Sequence, residues 1–215
     1  MINSTPRMSM NRVIHGAVRR DLDRFLSALD GFVGGDRDRA EALHRAWTNF
    51  HEQLTEHHEG EHKITWPALQ AIGISTSTLT SFDTEHEQMA ADLAAADEAM
   101  SRLRGSATRA DADRAATAMA TLQTSAVAHL DHEEEETEAA LRQHESDPAV
   151  KQIGRSFGQG VNLPKAGWYF AWLQDGATSE QRSALAANMP RPMLASMTFL
   201  FGRRYRKEIA PTWSR

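Results

Sequence analysis

The stretch His57-His58-Glu59-Gly60-Glu61-His62-Lys63-Ile64-Thr65-Trp66-Pro67-Ala68-Leu69 reads as the end of a helix. Upstream of it Leu43, Trp47, Phe50 and Leu54 recur at spacings of three and four, and His57, Glu61 and Ile64 continue the same stripe. The spacing predicts a helix over 36–63, with Pro67 stopping it after Trp66. Two polar residues on an otherwise apolar stripe set the question that the rest of the chain must answer.

Working outward, three more segments carry one stripe each. Over 10–29 the stripe is His15, Val18, Leu22, Phe25 and Leu29, ended by Gly31, Gly34 and Gly35. A third segment is expected to begin at Ser81, an N-cap with Thr84 and Glu85 in the first turn. It carries Phe82, His86, Met89, Leu93, Ala96, Met100 and Leu103 and closes at Gly105. A fourth, over 108–143, carries Met119, Leu122, Ala126, His129, Glu133, Ala140 and Leu141. Four amphipathic helices of about 20–35 residues with short connections describe an all-α, up-and-down antiparallel four-helix bundle over 8–146.

After Asp147-Pro148 glycine rises, charge falls, and Trp168, Tyr169, Phe170 and Trp172 cluster behind Pro164. This predicts a short helical C-terminal extension over 147–215 packing on the bundle, with breaks around 154–164, 176 and 188–192 and a final helix over 192–209. Its aromatics either cap the open end of the bundle or line a pocket with Trp168, Tyr169 and Trp172. Arg203, Arg204, Arg206 and Lys207 read as a solvated helix terminus.

Composition narrows the chemistry. The 215 residues are 40% hydrophobic and 25% charged, near globular averages, which excludes disorder and collagen-like repeats. With Cys 0 and His 10, thiolate nucleophiles, cysteine-held zinc and iron–sulfur clusters are excluded, and the chemistry must use nitrogen and oxygen. A net charge of -5 argues against a nucleic-acid partner. The first eight residues lack the apolar run of a secretory signal, and Met193 to Phe201 is far short of the roughly 18–20 residues of a membrane span. The expectation is a soluble, cytoplasmic chain.

Each stripe contains one histidine: His15, His57, His86 and His129. His57 with Glu61 and His129 with Glu133 are i, i+4 pairs, so each projects from a single helical face. A lone histidine on such a face is usually a satisfied core residue, and a lone His-x-x-x-Glu arises by chance on an acidic helix. Four stripes, four histidines and two glutamates in register are much harder to obtain by chance. Burying two carboxylates beside four imidazoles would cost several kcal/mol per ionised group without compensation, and a metal cation supplies it. Mixed imidazole and carboxylate ligation in a helical core suits a pair of iron or manganese ions, with zinc open on ligand type alone.

The order His15, then His57-His-Glu-Gly-Glu61 leading into Trp66-Pro-Ala-Leu69, then Glu85-His86, then His129-Leu-Asp-His-Glu133-Glu134 resembles the hemerythrin-like (HHE cation-binding) family over about residues 10 to 145. The resemblance implies an antiparallel four-helix bundle with a non-haem di-iron centre. In it Glu61 and Glu133 would bridge two iron ions together with an oxo, hydroxo or water ligand, with His15 and His57 serving one iron and His86 and His129 the other.

The oxygen-carrying members supply a fifth histidine one turn from the third, whereas Phe82 and Ala90 flank His86 here. That departure leaves a coordination position open or filled from elsewhere, with Glu85, His51, His58, His62 and His132 as candidates. An open position admits exogenous ligands to a reactive metal. The expected function is therefore redox chemistry of an oxidoreductase with dioxygen, peroxide or nitric oxide, with an organic substrate as an option. The alternative is non-catalytic oxygen or nitric oxide sensing, oxygen binding or iron storage at the same centre. His58, His62 and His132 lie off the inward faces and are expected at the surface or as hydrogen-bond partners of the ligands. The alternative registers His58 with His62 and His132 with Glu136 leave the apolar stripes. His44, His51 and His144 are expected in solvent.

Overall fold

A computed structural model describes residues 8–158, 162–189 and 191–214. Among these there is no strand, and no helix is long and apolar enough to cross a membrane. The start of the chain as far as residue 7, and the expected breaks where they fall on 159–161 and 190, lie outside the described residues.

The elements are α1 (Met10–Asp30), α2 (Arg37–Gly60), a π-helical turn (Glu61–Thr65), α3 (Trp66–Ala71), α4 (Thr76–Ser106), α5 (Arg109–Gln143), α6 (Pro148–Gly158), α7 (Leu163–Gln174), α8 (Ser179–Asn188), α9 (Arg191–Phe201), α10 (Arg203–Glu208) and a 3-10 turn (Ala210–Ser214). They group into two compact units. One comprises the chain up to Asp21 with Asn162–Arg215, the other Leu22–Val161. The division thus runs through α1 and places α6 with α2–α5.

In the Leu22–Val161 unit the apolar stripes meet as a core of Leu22, Phe25 and Leu29 from α1, Leu43, Trp47, Phe50 and Leu54 from α2, Met89, Ala96 and Met100 from α4, and Met119, Leu122 and Ala126 from α5. Burying each large side chain contributes about 1.5–3 kcal/mol. Phe25, Trp47 and Phe50 form a triad with ring centroids 5.7–5.8 Å apart, and Trp47 Nε1 donates to Asp97 Oδ1 at 2.7 Å. Arg109 holds the end of α1 by donating from Nη1 to the carbonyls of Leu29, Asp30 and Phe32.

Three element boundaries differ from expectation. First, α4 begins at Thr76, because Ser75 caps it by accepting from the Thr78 N–H, while Ser81 lies inside the helix and donates to Thr78 O. Second, Pro67 opens α3 instead of stopping α2. A proline cannot donate to the carbonyl four residues back and clashes with it, and the chain answers with the π turn, in which Trp66 N–H reaches Glu61 O. The extra residue rotates the inward face from Ile64 to Thr65 and Trp66, both buried. Third, the expected 192–209 helix breaks at Gly202 into α9 and α10.

That break has a steric cause in the other unit. A Cβ on Gly202 would lie 2.6 Å from Thr198 O and 2.8 Å from Ala171 Cβ, and one on Gly167 would lie 2.3 Å from Phe201 Cβ. Paired glycines let α7 cross the α9–α10 junction backbone to backbone. Trp172, fully buried, donates from Nε1 to Asp21 Oδ2 at 2.7 Å, and Arg20 Nε occupies Asp21 Oδ1 at 2.8 Å. Trp168 meets Tyr205 edge-on, Tyr169 tilts against Trp172, and the Tyr205 hydroxyl donates to Asp175. Burial, then Asp21 and Asp175, push that hydroxyl well above the usual tyrosine range.

Candidate metal centre

Three helices of the Leu22–Val161 unit bring the predicted polar residues together. His57, His58 and Glu61 come from the end of α2 and the π turn, His86 from α4, and His129 and Glu133 from α5. Two donor sets result. In one, single ligand atoms of His58, Glu61, His86 and His129 lie within 4.8 Å of one another. In the other, those of His57, Glu61 and Glu133 do. Glu61 belongs to both. Its Oε1 lies 3.0 Å from His57 Nε2 and its Oε2 3.5 Å from His86 Nε2. His15 lies on the part of α1 that groups with the other unit and is fully buried.

The electrostatics fit a cation. Both Glu61 oxygens are buried and accept no well-formed hydrogen bond. Burial first, and the neighbouring Glu133 second, hold the Glu61 carboxyl well above the usual carboxylate range. Burial, reinforced by His129, pushes His86 down to about 4, against the opposing pull of Glu133, Asp83 and Glu85. His86 is therefore neutral near pH 7, the protonation state a metal requires. His86 Nε2 and His129 Nε2 stand 2.9 Å apart, in the donor set that they share with Glu61 and His58. A cation there would satisfy the Glu61 oxygens and use both imidazole nitrogens, so the residues present fit a metal.

Aromatic rings enclose this end of the cluster. His58 stacks on His86 at 4.1 Å and 23°, Trp66 lies near-parallel to His86 at 5.7 Å, and Phe82 meets His129 edge-on. Trp66 is held by its Nε1 donating to Asp83, which also faces His62 Nδ1 at 3.2 Å.

His58 is the donor that the stripe did not reveal. It sits about 100° around α2 from His57 and faces α4 through its stack on His86, a position that period alone assigns to the surface. Glu85, a candidate for the open position, instead accepts from His129 Nδ1 and His132 Nδ1. His62 is exposed, and His51 lies edge-on to Trp47. Trp168, Tyr169 and Trp172 have the packing contacts of their own unit described above.

A helical unit that gathers imidazoles and carboxylates from three helices into two donor sets sharing one glutamate is a cation-binding helical domain. The profile of the hemerythrin HHE cation binding domain matches residues 11–141, and the chain belongs to that family. Domains of this family bind metal cations, commonly iron. No curated protein and no solved structure matches the chain.

Proposed function

We propose that the chain is a non-haem di-iron protein that binds dioxygen, peroxide or nitric oxide and reacts with it, in an up-and-down bundle of α1, α2, α4 and α5. The observation that carries this reading is the membership of Glu61 in both donor sets, with its two oxygens turned to different histidines. His58, His86, His129 and Glu61 would hold one iron, and His57, Glu61 and Glu133 the other. By the sequence resemblance His15 would serve as a further iron ligand. It lies seven residues before Leu22 on the stripe that continues through Phe25 and Leu29, so one face of one helix carries all four.

With no more than four protein donors each, the irons would keep positions open, the condition under which imidazole–carboxylate iron takes exogenous oxygen ligands. When bound, the iron pair supplies one-electron chemistry that imidazole and carboxylate lack. Of the chain's own residues, His86 presents a neutral imidazole, Glu61 places its carboxylate between the sets, and Phe82 and Trp66 exclude bulk water.

Metal analysis and absorption spectroscopy of the purified protein test the reading. The expected result is about two irons per chain, lost in His57→Ala and Glu133→Ala, and a visible band that changes on adding peroxide. Protein without iron, or variants with unchanged iron, would overturn it. Oxygen evolution or irreversible oxidation after peroxide supports reaction, while a stable reversible band reduces the function to binding.

A further inference from the structure

Glu85 is one residue from the His86 donor, yet it does not face the donor sets. Its carboxylate spans two histidines of α5 instead, His129 Nδ1 to Oε2 and His132 Nδ1 to Oε1, each at 2.7 Å. Residues 129 and 132 are neighbours on one helical face, so a single carboxylate can take one from each oxygen. Phe82, one turn before Glu85, meets both rings edge-on, at 5.9 and 5.0 Å, and blocks their rotation from the side. The side chain of His129 is 0% exposed, that of Glu85 33% and that of His132 36%. The three therefore run from the buried cluster to solvent.

An imidazole can carry its proton on either nitrogen, and only one choice leaves Nε2 free to bind a metal. A carboxylate accepts and cannot donate, so the 2.7 Å contact requires the proton on His129 Nδ1 and leaves the Nε2 lone pair facing Glu61 and His86. We propose that Glu85 is a positioning residue of the centre: it selects the Nδ1–H form of His129 and fixes the ring plane, and His132 in turn anchors Glu85. The inference rests on the di-iron reading for its effect on iron but not for its effect on His129. Glu85 belongs to neither donor set.

Two measurements separate these. Nitrogen-15 NMR of the histidines in metal-free protein reads the tautomer directly. His129 is expected as the Nδ1–H form in the wild type and as a mixture or the Nε2–H form in Glu85→Ala. Iron affinity, read by competition with a chelator, is expected to fall about 10–100-fold in Glu85→Ala, the usual cost of removing a carboxylate behind a ligating histidine. Glu85→Gln keeps one accepting oxygen and should fall less, and His132→Ala should fall less than Glu85→Ala. The side chain is a third exposed, so helical content by circular dichroism should be unchanged. A Glu85→Ala protein with the wild-type His129 tautomer, or with iron affinity within twofold of wild type, overturns the proposal. A wild type that takes up no iron overturns the di-iron reading instead, and the tautomer still decides the role of Glu85.

Discussion

Glu61 and His86 face each other at 3.5 Å and respond to acid in opposite senses. Burial lowers His86 from its ordinary 6.5 to about 4, so between those values the unfolded chain takes up a proton that the folded metal-free chain refuses. Stability from His86 is complete above about pH 6.5 and is lost as the pH falls towards 4. Burial raises Glu61, so the folded chain keeps a proton there that the unfolded chain releases, and acid removes that penalty. The two partly cancel in the wild type. They separate in a Glu61→Gln background, where urea unfolding of metal-free protein is expected to show the stability advantage of His86 over His86→Gln shrinking by roughly 2–3 kcal/mol from pH 7 to pH 4. An advantage that does not change with pH would mean that His86 is not held neutral by burial.

At the scale of elements, the histidines that share an apolar stripe were legible, because a 3.6-residue period marks a face wherever polar residues interrupt it. The period shows only one face per helix. The end of α2 serves two neighbours, with His57 turned to Glu61 and His58 to α4, so half of its contribution lay off the stripe. Pro67 was legible as a disturbance, but its resolution by a π turn was not, since the extra residue is set by where Trp66 must pack. The start of α4 was misplaced because Ser75 and Ser81 both have capping chemistry, and only the backbone distinguishes them. Ser75→Ala removes the acceptor of the Thr78 N–H and is expected to cost about 1 kcal/mol, whereas Ser81→Ala, which removes only a hydroxyl donating to a carbonyl already within the helix, is expected within about 0.5 kcal/mol of wild type in urea unfolding. The reverse order would return the helix start to Ser81.

For the whole molecule, iron bound at the proposed centre would stabilise the helices that hold it. A ligand that binds only the folded form adds RT ln(1 + [L]/Kd), about 2.7 kcal/mol at a hundredfold excess over Kd, and adds it to whatever must unfold to release the ligand. The donors of the Leu22–Val161 unit come from α2, the π turn, α4 and α5, helices whose core is Trp47, Phe50, Met89 and Leu122. Hydrogen exchange before and after loading with ferrous iron, without oxygen, should therefore show slowed amides in α2, α4 and α5, by up to about a hundredfold at that excess. Amides in these helices that exchange at the same rate with and without iron would show that their side chains do not hold the metal.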